Sequence, residues 1–306
     1  MKKPDVGLLI PIITMFNEDE SINDEEIRKH IDFLFENDVH GLLCGGTCTE
    51  FSSMDLEERM HVHEVVVKHT AGRGPVFIGV ACPGTKDSIK LAKHAEEIGA
   101  FGIFAVAPYY MLPTVAEIKQ YYRDVAHSVS LPFLLYNNPG LSGVGLSVAD
   151  IAELTNEGTA QYVKECYGDP ARIQDLKLMC NEEISIIYGE DYGAFQGLLL
   201  GANGWTAGCA NFIPKECVEL WKLLKENGDY PAALKHWYKI LPALNMTSKK
   251  DMYGKNGDER PDFIQIYREA LKIRGLFGGV CRKPLLPIDD DDIAYLKELM
   301  EDLGYK

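Results

Sequence analysis

The sequence has no apolar run near the ~20 residues that a bilayer-spanning helix needs. It also lacks a Gly-x-Gly-x-x-Gly at the end of an apolar strand, which removes the usual dinucleotide cradle. Cations are scarce: among 306 residues, 31 Lys and Arg face 46 Asp and Glu, a net charge of −15. Nucleic acids and anionic lipids are bound by clustered cations, so neither a nucleic acid nor a membrane is expected as a partner. Metal-ligand spacing is missing as well. The 8 cysteines are scattered through apolar segments. Only Cys44 and Cys48 lie close together, and no second pair or histidine cluster completes a zinc site. We expect reduced thiols, no metal and no cofactor. Two lysines precede the apolar run Val6–Phe16 as in a weak signal peptide, but Pro11 interrupts the run and no small-residue cleavage site follows. A first strand in a cytoplasmic protein is the expectation.

What the sequence does have is a steady beat. Short, nearly all-apolar runs recur at Val6–Phe16, His40–Gly46, Pro75–Cys82, Phe101–Pro108, Leu131–Pro139, Ala160–Cys166, Ile184–Gly189 and Gly204–Cys209. Such runs suit parallel strands buried on both faces. Helix-period stretches lie between them: Asp24–Glu36, Asp55–His69, Thr85–Ile98, Thr114–Ser128, Ser147–Thr155, Pro170–Met179, Tyr192–Leu200 and Pro214–Glu226. Eight alternations predict an α/β fold, a closed (β/α)8 TIM barrel, over residues 1–226. The beat then stops. Pro231–Leu244, Asp262–Leu276 and Asp289–Leu303 read as a three-helix C-terminal extension over residues 227–306, with Asn245–Pro261 as an exposed, mobile connection.

In such a barrel the chemistry gathers at the C-terminal ends of the strands. Lys164 is the informative residue there, because the rest of its strand suits a barrel interior. Dehydration disfavours the ammonium and predicts a pKa lowered toward that of a usable nucleophile. An ion pair with Glu165 is the structural alternative. The run Gly45-Gly46-Thr47-Cys48 presents backbone N–H groups and small polar side chains, a cradle for a carboxylate or simply a turn. Tyr136 and Tyr110 supply phenols at neighbouring strand ends, for proton transfer or for packing. Together, an amine, a cradle and phenols on one barrel face are what imine chemistry on a 2-keto acid requires.

These residues resemble the pyruvate-dependent class I aldolases that include dihydrodipicolinate synthase and N-acetylneuraminate lyase. Gly46–Glu50 is similar to their Gly-[Thr/Ser]-Thr-Gly-Glu signature, Tyr136-Asn-Asn-Pro to their Tyr-Asn-x-Pro, and Val163–Asp169 to their Schiff-base segment. The separations Glu50–Tyr136 and Tyr136–Lys164, 86 and 28 residues, agree with the synthase branch. The resemblance implies that Lys164 forms an imine with pyruvate or a pyruvate-derived product and that Tyr136 is the acid/base. It implies that Thr47 and Tyr110 relay protons and that Thr47 and Cys48 face the pyruvyl carboxylate. It also implies that Tyr110 reaches across a tight dimer, in a homotetramer built as a dimer of dimers.

The departures bear on substrate. Leu141 stands where the synthases carry an arginine that clamps the aldehyde's carboxylate, and leucine cannot form a bidentate clamp. That stretch is closer to the neuraminate lyases, which grip sugar hydroxyls with an Asp-Glu pair beyond strand seven. Here Gly189 and Asp191 are present, but Tyr192 takes the second place. Cys48 weakens the carboxylate contact, Thr49 replaces a glycine and should crowd its turn, and Tyr167 narrows the pocket or stacks on a flat substrate. The function expected is a Schiff-base-forming lyase, aldolase or dehydratase, acting on a 2-keto-3-deoxy sugar acid or related 2-keto acid. A dihydrodipicolinate synthase that clamps its aldehyde elsewhere is the alternative, and a catalytically silent small-acid-binding barrel a third reading.

Overall fold

The computed structural model describes residues 6–247 and 262–305. Eight strands close one parallel barrel in sequence order: β1 (Gly7–Pro11), β2 (Gly41–Cys44), β3 (Val76–Gly79), β4 (Gly102–Val106), β5 (Phe133–Asn137), β6 (Tyr162–Glu165), β7 (Ser185–Tyr188) and β8 (Gly204–Trp205). Every β1–β7 residue is buried, because one face fills the barrel and the other meets the helices. The strands are shorter than the apolar runs. Residues beyond each C-terminal end leave the ladder to build loops, as Pro11 shows by terminating β1.

The outer ring comprises α1 (Asp24–Glu36), α2 (Leu56–Thr70), α3 (Thr85–Glu97), α4 (Val115–Ala126), α5 (Pro139–Ser142), α6 (Val148–Asn156), α7 (Ala171–Met179), α8 (Ala194–Leu199) and α9 (Pro214–Trp221). Capping boxes start α2 at Asp55, α4 at Thr114 and α6 at Ser147. The one-turn helix α5 has no counterpart in the sequence reading, since four residues are too few to carry a period. A π turn, Lys222–Glu226, extends α9.

Three further helices pack beside the barrel: α10 (Tyr230–Met246), α11 (Phe263–Ile273) and α12 (Asp290–Asp302). Their buried residues, among them Trp237, Ile266 and Met300, belong to the same hydrophobic cluster as the barrel. The expected connection Asn245–Pro261 needs one correction. Helix α10 runs on through Met246, which buries Asn245, Met246 and Thr247; residues 248–261 lie outside the described residues. Among the described residues no helix is long and apolar enough to cross a membrane.

Candidate active site

Tyr136 and Lys164 are register partners on β5 and β6, so their side chains emerge on the same face of adjacent strands. Both are buried at the mouth of the barrel interior. The Lys164 ammonium lies 4.0 Å from the centroid of the Tyr136 ring. Strand alternation sends Glu165 the other way. Its carboxylate takes two hydrogen bonds from Asn137 Nδ2 (2.9 and 3.2 Å) and one from Arg172 (3.1 Å). The Lys164–Glu165 ion pair is therefore not formed, and among the described residues no carboxylate lies within ion-pair distance of Lys164.

The electrostatics correct the sequence expectation. Burial alone lowers the Lys164 pKa, but Tyr136, Cys166 and Cys48 act on the same ammonium in the opposite sense, and the net direction is upward. Those acids are themselves pushed up to about 12, chiefly by burial. The amine is thus set among neutral proton carriers rather than beside an anion. Asn138 Nδ2 donates to the Tyr136 hydroxyl oxygen at 2.8 Å, which fixes where that phenol can direct its proton.

Cys48 and Thr49 sit on a single 3₁₀ turn, Thr47–Thr49, beyond β2. Thr47 is half-buried at its start, and its hydroxyl bonds no described protein atom. Cys48 lies close enough to Lys164 and Tyr136 to influence both. Thr49 faces away from them. Its hydroxyl donates to the Ile12 carbonyl (2.9 Å) and accepts from the Gly45 N–H (3.0 Å). It therefore pins the turn instead of crowding it, because the left-handed conformations fall on Gly45 and Glu50 and not on Thr49.

The remaining expected residues fall in three places. Gly189 is part of the mouth: a side chain there would collide with Cys166 Sγ, at 1.9 Å. Asp191 accepts from the N–H groups of Gly208 (3.0 Å) and Cys209 (2.9 Å) and from the Tyr267 hydroxyl (3.1 Å). It anchors the loop after β8, and burial pushes it up to about 6 despite those donors. Leu141 on α5 and Tyr167 are exposed at the rim, and the Arg172 guanidinium covers the Tyr167 ring at 4.1 Å. Tyr110 is not part of this constellation: it is 89% exposed on the loop after β4, with φ +77°. The sequence reading missed two residues. Cys166 lies two positions beyond Lys164 and so shares its face, a signal that alternation carries. Asn138, inside the Tyr-Asn-Asn-Pro run, reveals its role only through the folded α5 turn.

Comparison with known proteins now bears on this geometry. A model of the dihydrodipicolinate synthetase family matches residues 5–303. The chain belongs to that family. It is accordingly an enzyme, a pyruvate-dependent lyase of the class I aldolase type. Its relatives include the 4-hydroxy-tetrahydrodipicolinate synthase of Pelobacter propionicus, 30% identical over 97% of this chain and 98% of that one. The enzyme of that name from Trichlorobacter lovleyi is 32% identical with the same coverage, 97% and 98%. Among solved structures, an Escherichia coli K12 prophage protein of the dihydrodipicolinic acid synthase family, determined with pyruvate, superposes with a TM-score of 0.89. It is 28% identical and covers 98% of this chain and 99% of its own.

Proposed function

We propose that this family member cleaves a 2-keto-3-deoxy sugar acid or a related 2-keto acid to release pyruvate, through an imine on Lys164. The observation that carries this is the buried Lys164 amine over the Tyr136 ring, with no carboxylate paired to it among the described residues. The free amine adds to the C2 carbonyl. Tyr136 gives its proton to the departing hydroxide, water leaves, and a phenolate stands beside the new iminium cation. That cation supports the anion of a phenol whose pKa burial otherwise raises to about 12. The phenolate takes the C4 hydroxyl proton as the C3–C4 bond breaks, and the bonding electrons pass into the imine as an enamine. Protonation at C3 and hydrolysis release pyruvate. Thr47 relays the proton, and the turn bearing Thr47 and Cys48 receives the pyruvyl carboxylate.

Two features of the rim favour a hydroxylated second half over a carboxylated one. Leu141 offers no cation, and Arg172, which reaches that loop through the Leu146 carbonyl, is engaged with Glu165. The other wall is acidic: the Glu190 oxygens lie 4.0 Å from where a side chain on Gly168 would stand. The relatives' name favours a second reading, condensation of pyruvate with aspartate semialdehyde. The experiment is to trap the chain with pyruvate and borohydride, then assay 2-keto-3-deoxy acids for released pyruvate. An adduct on Lys164 and turnover of one such acid are expected. No adduct, or one that survives Lys164→Ala, overturns the imine. Turnover of aspartate semialdehyde alone, improved by Leu141→Arg, replaces the substrate with the second reading.

Tyr110 enters this proposal through a second copy of the chain. Tyr110, Met111 and Leu112 together expose apolar side chains beside the mouth. A partner copy burying them, in a dimer of dimers, would bring Tyr110 to the neighbouring site. Light scattering should then report a tetramer, and Tyr110→Phe should lower kcat roughly tenfold or more, the scale of a lost proton relay.

A further inference from the structure

Asn138 follows β5 directly and has its side-chain amide held at both ends. Oδ1 accepts the Leu141 N–H at 3.2 Å and caps the one-turn helix α5, while Nδ2 donates to the Tyr136 hydroxyl oxygen at 2.8 Å. The Leu141 end fixes the amide's orientation, because only the oxygen can accept from that N–H. The backbone is held too: the Asn138 carbonyl accepts from the Ser142 N–H at 3.0 Å and the Ser142 hydroxyl at 2.8 Å. Nδ2 is therefore a donor set in place before the reaction, and such a donor needs no reorganisation when charge develops.

A neutral amide suits a phenol that must change charge. Nδ2–H donates and cannot accept, so the Tyr136 proton is not lost to it. Its bond strengthens once the oxygen becomes an anion. The titratable groups that face Tyr136 are Lys164 and Cys166 at β6, Cys48 on the turn beyond β2, and Tyr122 on α4. Burial holds the phenol up at about 12, and Lys164 and the Asn138 amide act in the opposite sense.

We infer that Asn138 is a positioning residue for the reaction, which stabilises through Nδ2–H the Tyr136 phenolate that forms as hydroxide departs. In that step the Tyr136 O–H bond breaks, its proton leaves with the hydroxide as water, and the oxygen keeps the electron pair. The Asn138 N–H bond stays intact. The same side chain ties the acid/base to α5, which carries Leu141 at the rim. This inference rests on the imine reading at Lys164 and adds to it what sets the acid strength of the phenol.

The test needs pyruvate alone. In D2O the pyruvate imine exchanges its methyl protons through the enamine, with the Tyr136 phenolate as base, and NMR follows that exchange. At saturating pyruvate the rate should fall away in acid along a limb set by Tyr136 beside the iminium. Asn138→Asp keeps an oxygen to cap α5 but loses the donor, and Asn138→Ser keeps the cap but falls short of the phenol. The limb should move to higher pH by about one unit in Asn138→Ser, the scale of one hydrogen bond to a charged oxygen. In Asn138→Asp it should move further, since a carboxylate repels the phenolate. An adduct on Lys164 with the limb unmoved in both variants overturns this inference alone. So does slower exchange without a shift, which would make the amide only a cap for α5. Neither adduct nor exchange in the unaltered chain overturns the reading at Lys164 and this inference with it.

Discussion

Two opposing effects act on the Lys164 ammonium. Loss of hydration favours the free amine, while the phenol of Tyr136 and the thiols of Cys166 and Cys48 favour the cation, and the cation wins. A pKa above the ordinary lysine value means that the free amine is the minor form at neutral pH, and that its fraction grows about tenfold per pH unit. Trapping by pyruvate and borohydride should therefore accelerate with pH between about 6 and 9. A flat or falling profile would show that pyruvate itself, and not the resting electrostatics, sets the protonation state. The role of Glu165 is decided at this scale too. Adjacent strand residues point to opposite faces, so its negative charge is spent on Asn137 and Arg172, away from the amine.

Among the elements, the link between α11 and the turn beyond β2 matters most. Arg268 on α11 donates to Glu50 Oε1 and to the Thr14 carbonyl, while the Arg282 N–H donates to Glu50 Oε2 at 2.9 Å. Glu50 closes the turn that carries Thr47 and Cys48, and it does so in a left-handed conformation (φ 55°). The C-terminal helices thereby hold the mouth in shape, and both partners of the ion pair are buried. Breaking such a pair from one side strands a buried charge, at a cost of about 3–5 kcal/mol. Urea unfolding of Arg268→Ala should show a loss of that order, with Arg268→Lys recovering part of it. A loss below about 1 kcal/mol would mean that the turn holds itself.

For the whole molecule, acid is the sensitive condition. His30 is buried against Asn211 (2.9 Å), and its pKa is lowered to about 4, mainly by burial. His63 is fully buried, and its pKa too is held well below the ordinary histidine value, mainly by burial. A histidine held neutral in the fold but free to protonate when unfolded contributes stability in full above its unfolded pKa, near 6.5. That contribution is lost as the pH falls from about 6.5 toward 4. Asp191 acts in the opposite sense over part of that window, since its raised pKa makes its ionised form costly above about 6. Denaturant midpoints should fall between pH 6.5 and 4.5, and His30→Gln should flatten the decline. Unchanged steepness in that variant would place the acid sensitivity elsewhere.

Much of the barrel was legible in the chain because burial on both faces writes itself as all-apolar runs, and crossover helices write themselves as intervening periods. Lys164 stood out because a cation is rare in such a run, and Tyr136 and Thr47 because their motifs lie at the C-terminal ends of strands of one barrel. Tertiary structure decided what depends on direction and neighbours. It turned Glu165 outward and set Cys166 against Gly189. It spent the Thr49 hydroxyl on backbone and the Asp191 carboxylate on backbone and Tyr267, and it left Tyr110 in solvent. A linear pattern records which side chains are apolar, whereas the charge an amine carries depends on which groups the fold brings around it.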